Sequence, residues 1–220
     1  SKDFWKFLTW AEESQTGMFI SVNSNLCSSE DLITRLIESQ KNIINFDIFT
    51  SCESVGLKAE YLRDGMLFDK FLNTCERVLR DTERNLCFMV TANALSVFGL
   101  LDFLYKIDTL KKDYPRTNFF INILTHPSFM AIGVLPLSLR IPVSDSLRKW
   151  LNCISSSDRY QEYEIRSLET LIDMLGSVEE LPMEEAKSFK KFFLNYDKVR
   201  NKDILTAFPE IRSWYRNITL

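Results

Sequence analysis

The first two thirds of the chain alternate between two hydrophobic patterns. Four runs favour β-strands: MFISVNS, IINFDIFT, NLCFMVTAN and TNFFINILTHP. The stretches between them place apolar residues every three or four positions, as on one face of a helix. Strands separated by helices predict βαβ units with parallel strands and right-handed crossovers. FMAIGVLP is a candidate fifth short strand, and we predict that NLCFMVTAN is buried on both faces.

From about Val143 onward the pattern becomes helical. Helices are predicted for SDSLRKWLNCI, RYQEYEIRSLETLIDMLGS and EEAKSFKKFFLNYDKVRNKD, and LTAFPEIRSWYRN closes the chain. No Ser/Gly/Pro-rich linker separates this part from the rest. We therefore predict an α/β protein in which residues 1–142 form a partial (β/α) barrel of about four or five mainly parallel strands. Residues 143–220 are predicted to be a helical extension packed on that barrel.

Charge and composition exclude few classes of protein. The formal charge of −3 on 220 residues gives no strong signal for nucleic-acid binding. The chain has no apolar run of about eighteen residues, and its first residues form an amphipathic polar pattern, so we expect a soluble cytoplasmic protein without a membrane span. The five cysteines are expected to be buried, reduced thiols. With a single histidine and no metal-ligand spacing, no metal site is predicted.

Polar residues follow each predicted strand. Because the carboxyl ends of parallel strands meet at one edge of a sheet, these residues are candidates for one ligand site. Helix capping is the alternative for each Asn or Ser. A plain ion pair with Glu60 or Asp64 is the alternative for Arg63. The candidates are Asn23 and Asn25, then Ser51, Glu53 and Arg63, then Asn93, and finally Thr125 and His126.

Four segments together resemble the carboxyl-terminal part of the radical S-adenosylmethionine superfamily, most closely its twitch-containing and SPASM-like branch. They are FISVNSN, FDIFTSCESVGLKAEYLRDGMLFDKFLNTCERVL, CFMVTANALSVFGLLDFL and THPSFMAIGVLP, and they cover roughly residues 1–136. The resemblance implies that Ser51, Glu53 and Arg63 contact the methionine carboxylate and ribose of the cofactor. It also implies that Asn93 lies near the nucleoside. The substrate mouth would then include Asn23, Asn25, Thr125 and His126.

The chain departs from that family at its metal site. The family binds a [4Fe-4S] cluster through CxxxCxxC, and these 220 residues contain neither this motif nor a Gly-Gly-Glu type segment. The hypothesis is a carboxyl-terminal fragment of a radical enzyme, with the missing motifs upstream and no activity of its own. S-adenosylmethionine is the cofactor expected for the complete protein, while the catalytic residues and the substrate stay unassigned.

Two alternatives stay open beside this hypothesis. The chain could be a non-catalytic relative that binds a nucleoside or a partner, or an unrelated βα-repeat binding or interaction protein. Under the fragment hypothesis, the incomplete set of parallel strands leaves an unpaired edge where the earlier strands would dock. We therefore predict a homo-oligomer with its contact near Met18 to Asn23.

Overall fold

A computed structural model describes residues 1–15, 17–177 and 179–220. In these residues four strands form a sheet in the order β1-β2-β3-β4, with every neighbouring pair parallel. The strands are β1 (Ile20–Asn23), β2 (Phe46–Ser51), β3 (Leu86–Ala92) and β4 (Thr117–Ile123). The predicted α/β class, with parallel strands followed by a helical region, is confirmed.

Helices connect the strands and then continue alone. Before β4 they are α1 (Lys2–Ser14), α2 (Glu30–Asn42), α3 (Gly56–Leu62), α4 (Phe68–Asp81) and α5 (Val97–Asp113). After β4 they are α6 (Leu137–Ile154), α7 (Glu162–Ser177), α8 (Met183–Arg200), α9 (Ile204–Ala207) and α10 (Arg212–Asn217). Short 3₁₀ turns span Ser128–Met130, Ile132–Val134 and Pro209–Ile211. Among the described helices, none combines the length and the apolar character needed to cross a membrane.

The candidate fifth strand is wrong. FMAIGVLP forms two 3₁₀ turns, closed by hydrogen bonds such as Val134 N to Ala131 O at 3.1 Å. A fifth strand would have to pair with the outer edge of β4, and α7 already lies along that edge. The change of pattern at Val143 falls inside α6, which starts at Leu137 and contains Pro142. A proline usually predicts the end of a helix, but α6 continues through Pro142.

The helices cover one face of the sheet. Successive strands joined by right-handed crossovers place their connecting helices on the same side. On that side Phe46, Ile48 and Phe88 are fully buried. The prediction that β3 is buried on both faces is wrong, because Met89 and Thr91 on its other face are only half-buried. We call this other side the open face; its side chains are those of Ser21, Asn23, Asp47, Phe49, Ser51, Cys87, Met89, Thr91, Asn118, Phe120 and Asn122.

Side chains of α7 take the place of a fifth strand beside β4. Glu164 Oε1 accepts the backbone N–H of Phe119 at 3.0 Å, and Ser167 Oγ accepts that of Ile121 at 3.3 Å. Lys111 of α5 donates its ammonium to both oxygens of Glu164 at 3.0 Å. Both charged side chains are completely buried, so the pair neutralises two charges inside the protein.

The edge at β1 is different. The backbone N–H groups of Ile20 and Ser24 donate toward β2, so those of the intervening Ser21 and Asn23 point away from the sheet. These outward groups have no hydrogen-bond partner among the described residues. Phe19, just before the strand, is 79% exposed. This edge can accept another strand, whereas the β4 edge cannot.

The Lys111→Met substitution should lower the free energy of unfolding by about 3–5 kcal/mol, because it leaves the Glu164 carboxylate buried without a partner. Chemical denaturation measures this. Adding Glu164→Gln should restore part of the loss, since an amide oxygen still accepts the Phe119 N–H without a charge. The control is Lys112→Met, which removes an exposed lysine from Asp108, a carboxylate that keeps Arg159 and Tyr160 as partners, and it should cost about 1 kcal/mol or less. Equal effects of the two single substitutions would contradict this account.

Size-exclusion chromatography with light scattering should find the chain self-associated at micromolar concentrations, because the β1 edge is free and flanked by exposed apolar side chains. Ser21→Pro removes an outward N–H without removing a bond to β2, and it should shift the protein toward monomer. Val199→Asp changes a similarly exposed apolar residue on α8 and should leave the assembly unchanged. A monomer at all concentrations would refute the predicted contact.

Candidate functional site

The four strands end at the same edge of the sheet, because they are parallel. Apart from Arg63, which follows α3, the predicted site residues lie in or just beyond these strand ends, so the fold places their backbone along one rim. Their side chains differ in location and in hydrogen-bond partners, and they form three groups. The first contains Glu53, Arg63 and Asn25, the second Ser51 and Asn23, and the third Asn93, Thr125 and His126.

Glu53 and Arg63 form a bidentate ion pair. Arg63 Nε donates to Glu53 Oε2 at 2.8 Å, and Arg63 Nη2 donates to Glu53 Oε1. Burial acts to lower the pKa of Arg63, but the hydrogen bond and charge of Glu53 outweigh it and raise that pKa above its usual value. The expected alternatives are wrong for Arg63, since Glu60 instead accepts the N–H of Phe68 and Asp64 pairs elsewhere.

The pairing leaves binding capacity on Arg63. A guanidinium has five N–H groups, and Glu53 accepts two of them along one edge of the plane. The other edge has no hydrogen-bond partner among the described residues, and the side chain is 28% exposed. Arg63 can therefore be held by one carboxylate while it donates to a second, as arginine does in paired carboxylate recognition.

Arg63 and Asn25 line one shallow depression of about 390 Å³. Asn25 Oδ1 accepts the backbone N–H of Cys27 at 3.1 Å, which fixes the loop after β1 and leaves the amide N–H groups of Asn25 for other partners. Gly65, at a left-handed φ of 81°, turns the chain on the opposite wall. The other lining residues are Cys27, Leu62, Asp64 and Met66.

Ser51 and Asn23 lie on the open face. Ser51 is half-buried and Asn23 is exposed, and neither side chain has a hydrogen-bond partner among the described residues. The register sets Ser51 opposite Met89, and Met89 opposite Phe120. A hydroxyl, a thioether and an aromatic ring therefore form one row across three strands.

Sequence reasoning missed the rest of the open face. Thr91 lies opposite Asn122 in the next row, and Phe49 and Cys87 lie opposite each other in the row before. The signal was the alternation of inward and outward positions within FDIFTS, LCFMVTA and TNFFINI. Adjacent apolar residues such as Phe119 and Phe120 conceal it, because one points toward the helices and the other away from them.

Asn93 serves as a cap. Its Oδ1 accepts the backbone N–H groups of Leu95 at 2.9 Å and Ser96 at 3.0 Å, and Ser96 Oγ accepts the N–H of Asn93 at 2.8 Å. The side chain is 9% exposed. A cap-like arrangement thus accounts for Asn93, whose oxygen is already engaged in the turn that leads into α5.

Thr125 and His126 are close to each other but not to Arg63. Their side chains approach to 3.2 Å, between Oγ1 and Nδ1, on the exposed loop after β4. Neither lines the depression at Arg63. Since neighbouring strands lie about 4.8 Å apart, the β4 loop is separated from the β2 loop by roughly 10 Å or more.

The cysteines are all free thiols. Cys52, Cys75 and Cys87 are buried as predicted, Cys27 is half-buried, and the prediction is wrong for Cys153, which faces solvent on α6. Burial raises the pKa of Cys52 to about 12 and that of Cys75 well above its usual value. Buried thiols with raised pKa values are poor metal ligands and poor nucleophiles.

An iron-sulfur cluster does not fit the residues that the structure describes. In the described ranges there is no group of three or more His, Cys, Asp or Glu side chains placed to hold a metal ion. Two groups remain available to a polar ligand: the hydroxyl of Ser51 at the end of β2, and the free edge of the Arg63 guanidinium directly after α3.

Comparison with protein-family models, curated proteins and solved structures finds no match to this chain.

Alkylation at about pH 8 should label Cys153 in the native protein and leave Cys52 and Cys75 unlabelled until the protein unfolds. Because folding raises the pKa of Cys52 to about 12, the protonated Cys52 thiol favours the folded protein. This contribution to the free energy of unfolding is complete below the usual pKa of 9.0 and is lost as the pH rises toward about 12. Cys52→Ala should therefore lessen the fall in unfolding free energy between about pH 8 and about pH 10. Cys153→Ala is the control and should not alter it. Rapid native labelling of Cys52 would contradict the buried assignment.

Proposed function

We propose that this chain forms part of the S-adenosylmethionine site of a radical enzyme. One observation carries the proposal: Ser51 at the end of β2 and Glu53 in the loop after it lie at the carboxyl edge of a parallel sheet, beside a face without helices, and Arg63, directly after α3, reaches that loop by pairing with Glu53. The cluster that makes such enzymes active would be held by polypeptide other than the residues described here. The chain alone is then inactive.

The proposed role of Arg63 is to bind the methionine carboxylate. Glu53 holds one edge of the guanidinium and cancels its charge, so the free edge recognises a zwitterionic group better than a bare anion. Ser51 would donate to the same ligand or to its ribose. Next to a reduced cluster, S-adenosylmethionine would be cleaved reductively, with the cluster supplying the electron.

The open face is the proposed substrate surface. Phe49, Met89 and Phe120 offer apolar contact, while Thr91 and Asn122 offer hydrogen bonds without partners of their own among the described side chains. Ligand sites commonly combine a mostly apolar wall with a few polar groups in this way. The five free cysteines suit the cytoplasmic location that we also propose.

A second function has some support. Glu53 pairs with Arg63, and Asn93 holds the turn that leads into α5, so these three residues also have a structural use. A non-catalytic protein that binds its partner through the open face would contain the same interactions. The two functions differ in whether S-adenosylmethionine binds.

Equilibrium dialysis should detect saturable binding of S-adenosylmethionine and of S-adenosylhomocysteine to the chain. Ser51→Ala should weaken it about fivefold, the effect of one neutral hydrogen bond. Arg63→Lys retains the charge but loses the planar fork, and it should weaken binding tenfold or more, on the order of a lost charge-assisted pair. Ser156→Ala, at an exposed serine without a side-chain hydrogen bond, is the matched control.

Absence of saturable binding would overturn the cofactor assignment and favour the binding protein. Binding that Ser51→Ala and Arg63→Lys leave unchanged would place the ligand elsewhere. Anaerobic treatment with iron and sulfide should yield neither cluster absorbance nor 5′-deoxyadenosine. Their appearance would refute the claim that the cluster is held by other residues.

A further inference from the structure

Arg63 immediately follows α3, and residues far along the chain hold the end of that helix. Tyr196 donates its hydroxyl to the carbonyl of Tyr61 at 2.8 Å. Lys202 donates its ammonium to the carbonyl of Glu60 at 2.7 Å. Carbonyls in the last turn of a helix lack partners within the helix, so α8 and the residue pair after it supply them here.

The residue after Arg63 is held from the same direction. Lys202 Nζ lies 3.0 Å from Asp64 Oδ1, and Arg200 donates to Asp64 Oδ2. The hydrogen bond from Lys202 lowers the pKa of Asp64. Contacts from the end of α8 therefore bracket Arg63 on both sides along the chain.

Tyr61 anchors this arrangement in the core. Its ring is 2% exposed and packs against Phe193 and Phe208, with ring centres 6.1 and 5.6 Å away. Its hydroxyl donates to Asp197 Oδ1 at 2.6 Å, and Asp197 Oδ2 accepts the N–H of Ile204 at 3.0 Å. The connection thus continues from α3 through α8 to α9.

The chain turns at Asn201, directly after α8, and this turn directs the Lys202 side chain toward α3. Asn201 has the left-handed conformation, with φ 51° and ψ 48°, which asparagine accepts more easily than most residues. The backbone N–H of Lys202 then donates to Asp197 O at 3.0 Å. The position of the ammonium is set by backbone geometry and not by the flexible side chain alone.

We propose that Tyr196, Arg200 and Lys202, here called the α8 brace, are positioning residues for Arg63. They fix residues 60–64 so that the guanidinium meets Glu53 with one edge and keeps the other edge available to a ligand. The described part of the helical region thereby positions Arg63 through the backbone of residues 60–64 and makes no hydrogen bond to the free edge of its guanidinium. This inference rests on the proposed function only for the identity of the ligand, since the positioning itself is measurable in its absence.

Polar contacts distinguish a positioning role from ordinary packing. The apolar side of α8 already has buried contacts through Phe189 and Phe193. The brace adds hydrogen bonds that end on two consecutive carbonyls and on the carboxylate next to Arg63. Rigid placement of a binding group lowers the ordering cost of binding, which is the advantage such contacts would give.

The test is the exchange of the Arg63 Nε–H with solvent, followed by ¹⁵N NMR on the whole chain. Lys202→Met and Tyr196→Phe should each speed this exchange about tenfold, the scale of one lost hydrogen bond to a charged or carbonyl group. Lys202→Arg, which can still donate to the carbonyl of Glu60, should restore most of the protection. The controls are Lys198→Met and Tyr105→Phe, at exposed side chains without polar hydrogen bonds, and both should match the parent.

The outcomes separate the two proposals. If the brace variants melt at lower temperature but leave the Arg63 exchange unchanged, the brace is structural only and the positioning role is overturned. If exchange speeds up and S-adenosylmethionine affinity falls in the same order, both proposals are supported. If exchange speeds up in a chain that does not bind S-adenosylmethionine, positioning stands and the cofactor assignment fails.

Discussion

The buried pair between Lys111 and Glu164 decides where the sheet ends. It joins α5, which leads into β4, to α7, which runs along β4, and it does so inside the protein, where an unpaired charge would be costly. Because Glu164 also accepts the N–H of Phe119, the same carboxylate satisfies both a cation and a strand edge. The helical region is thus attached to the sheet by charge as well as by apolar contact, and it turns back from there toward α3.

Much of the fold was accessible from the sequence. The alternation of strand runs with helical periodicity gave the four parallel strands and the later helices, because both patterns are local. The link between Lys111 and Glu164 was not accessible, since 53 positions separate the two residues and each looks like an ordinary surface charge. The 3₁₀ turns at FMAIGVLP were also missed, because their apolar residues suit a strand and the sequence does not show that α7 lies along the adjacent edge of β4.

The candidate site shows a similar division. Ser51, Glu53 and Arg63 are close in sequence, and reasoning from strand ends placed them on one edge. The partner of Arg63 was Glu53 and not the nearer Asp64, because Asp64 is engaged by α8. Asn93 shows the limit of such reasoning: a polar residue after a strand serves a helix cap as readily as a ligand, and the local sequence is the same.

The two edges of the sheet differ in whether they can pair with another strand. At β4 the backbone is closed by side chains of α7, while at β1 the hydrogen-bonding groups of Ser21 and Asn23 are unused by the described residues. A strand can therefore be added to this sheet beside β1 but not beside β4. An engineer who wished to lengthen the sheet, or to join it to another βα unit, would have to do so ahead of β1, since any graft beyond β4 would first have to break a buried salt bridge.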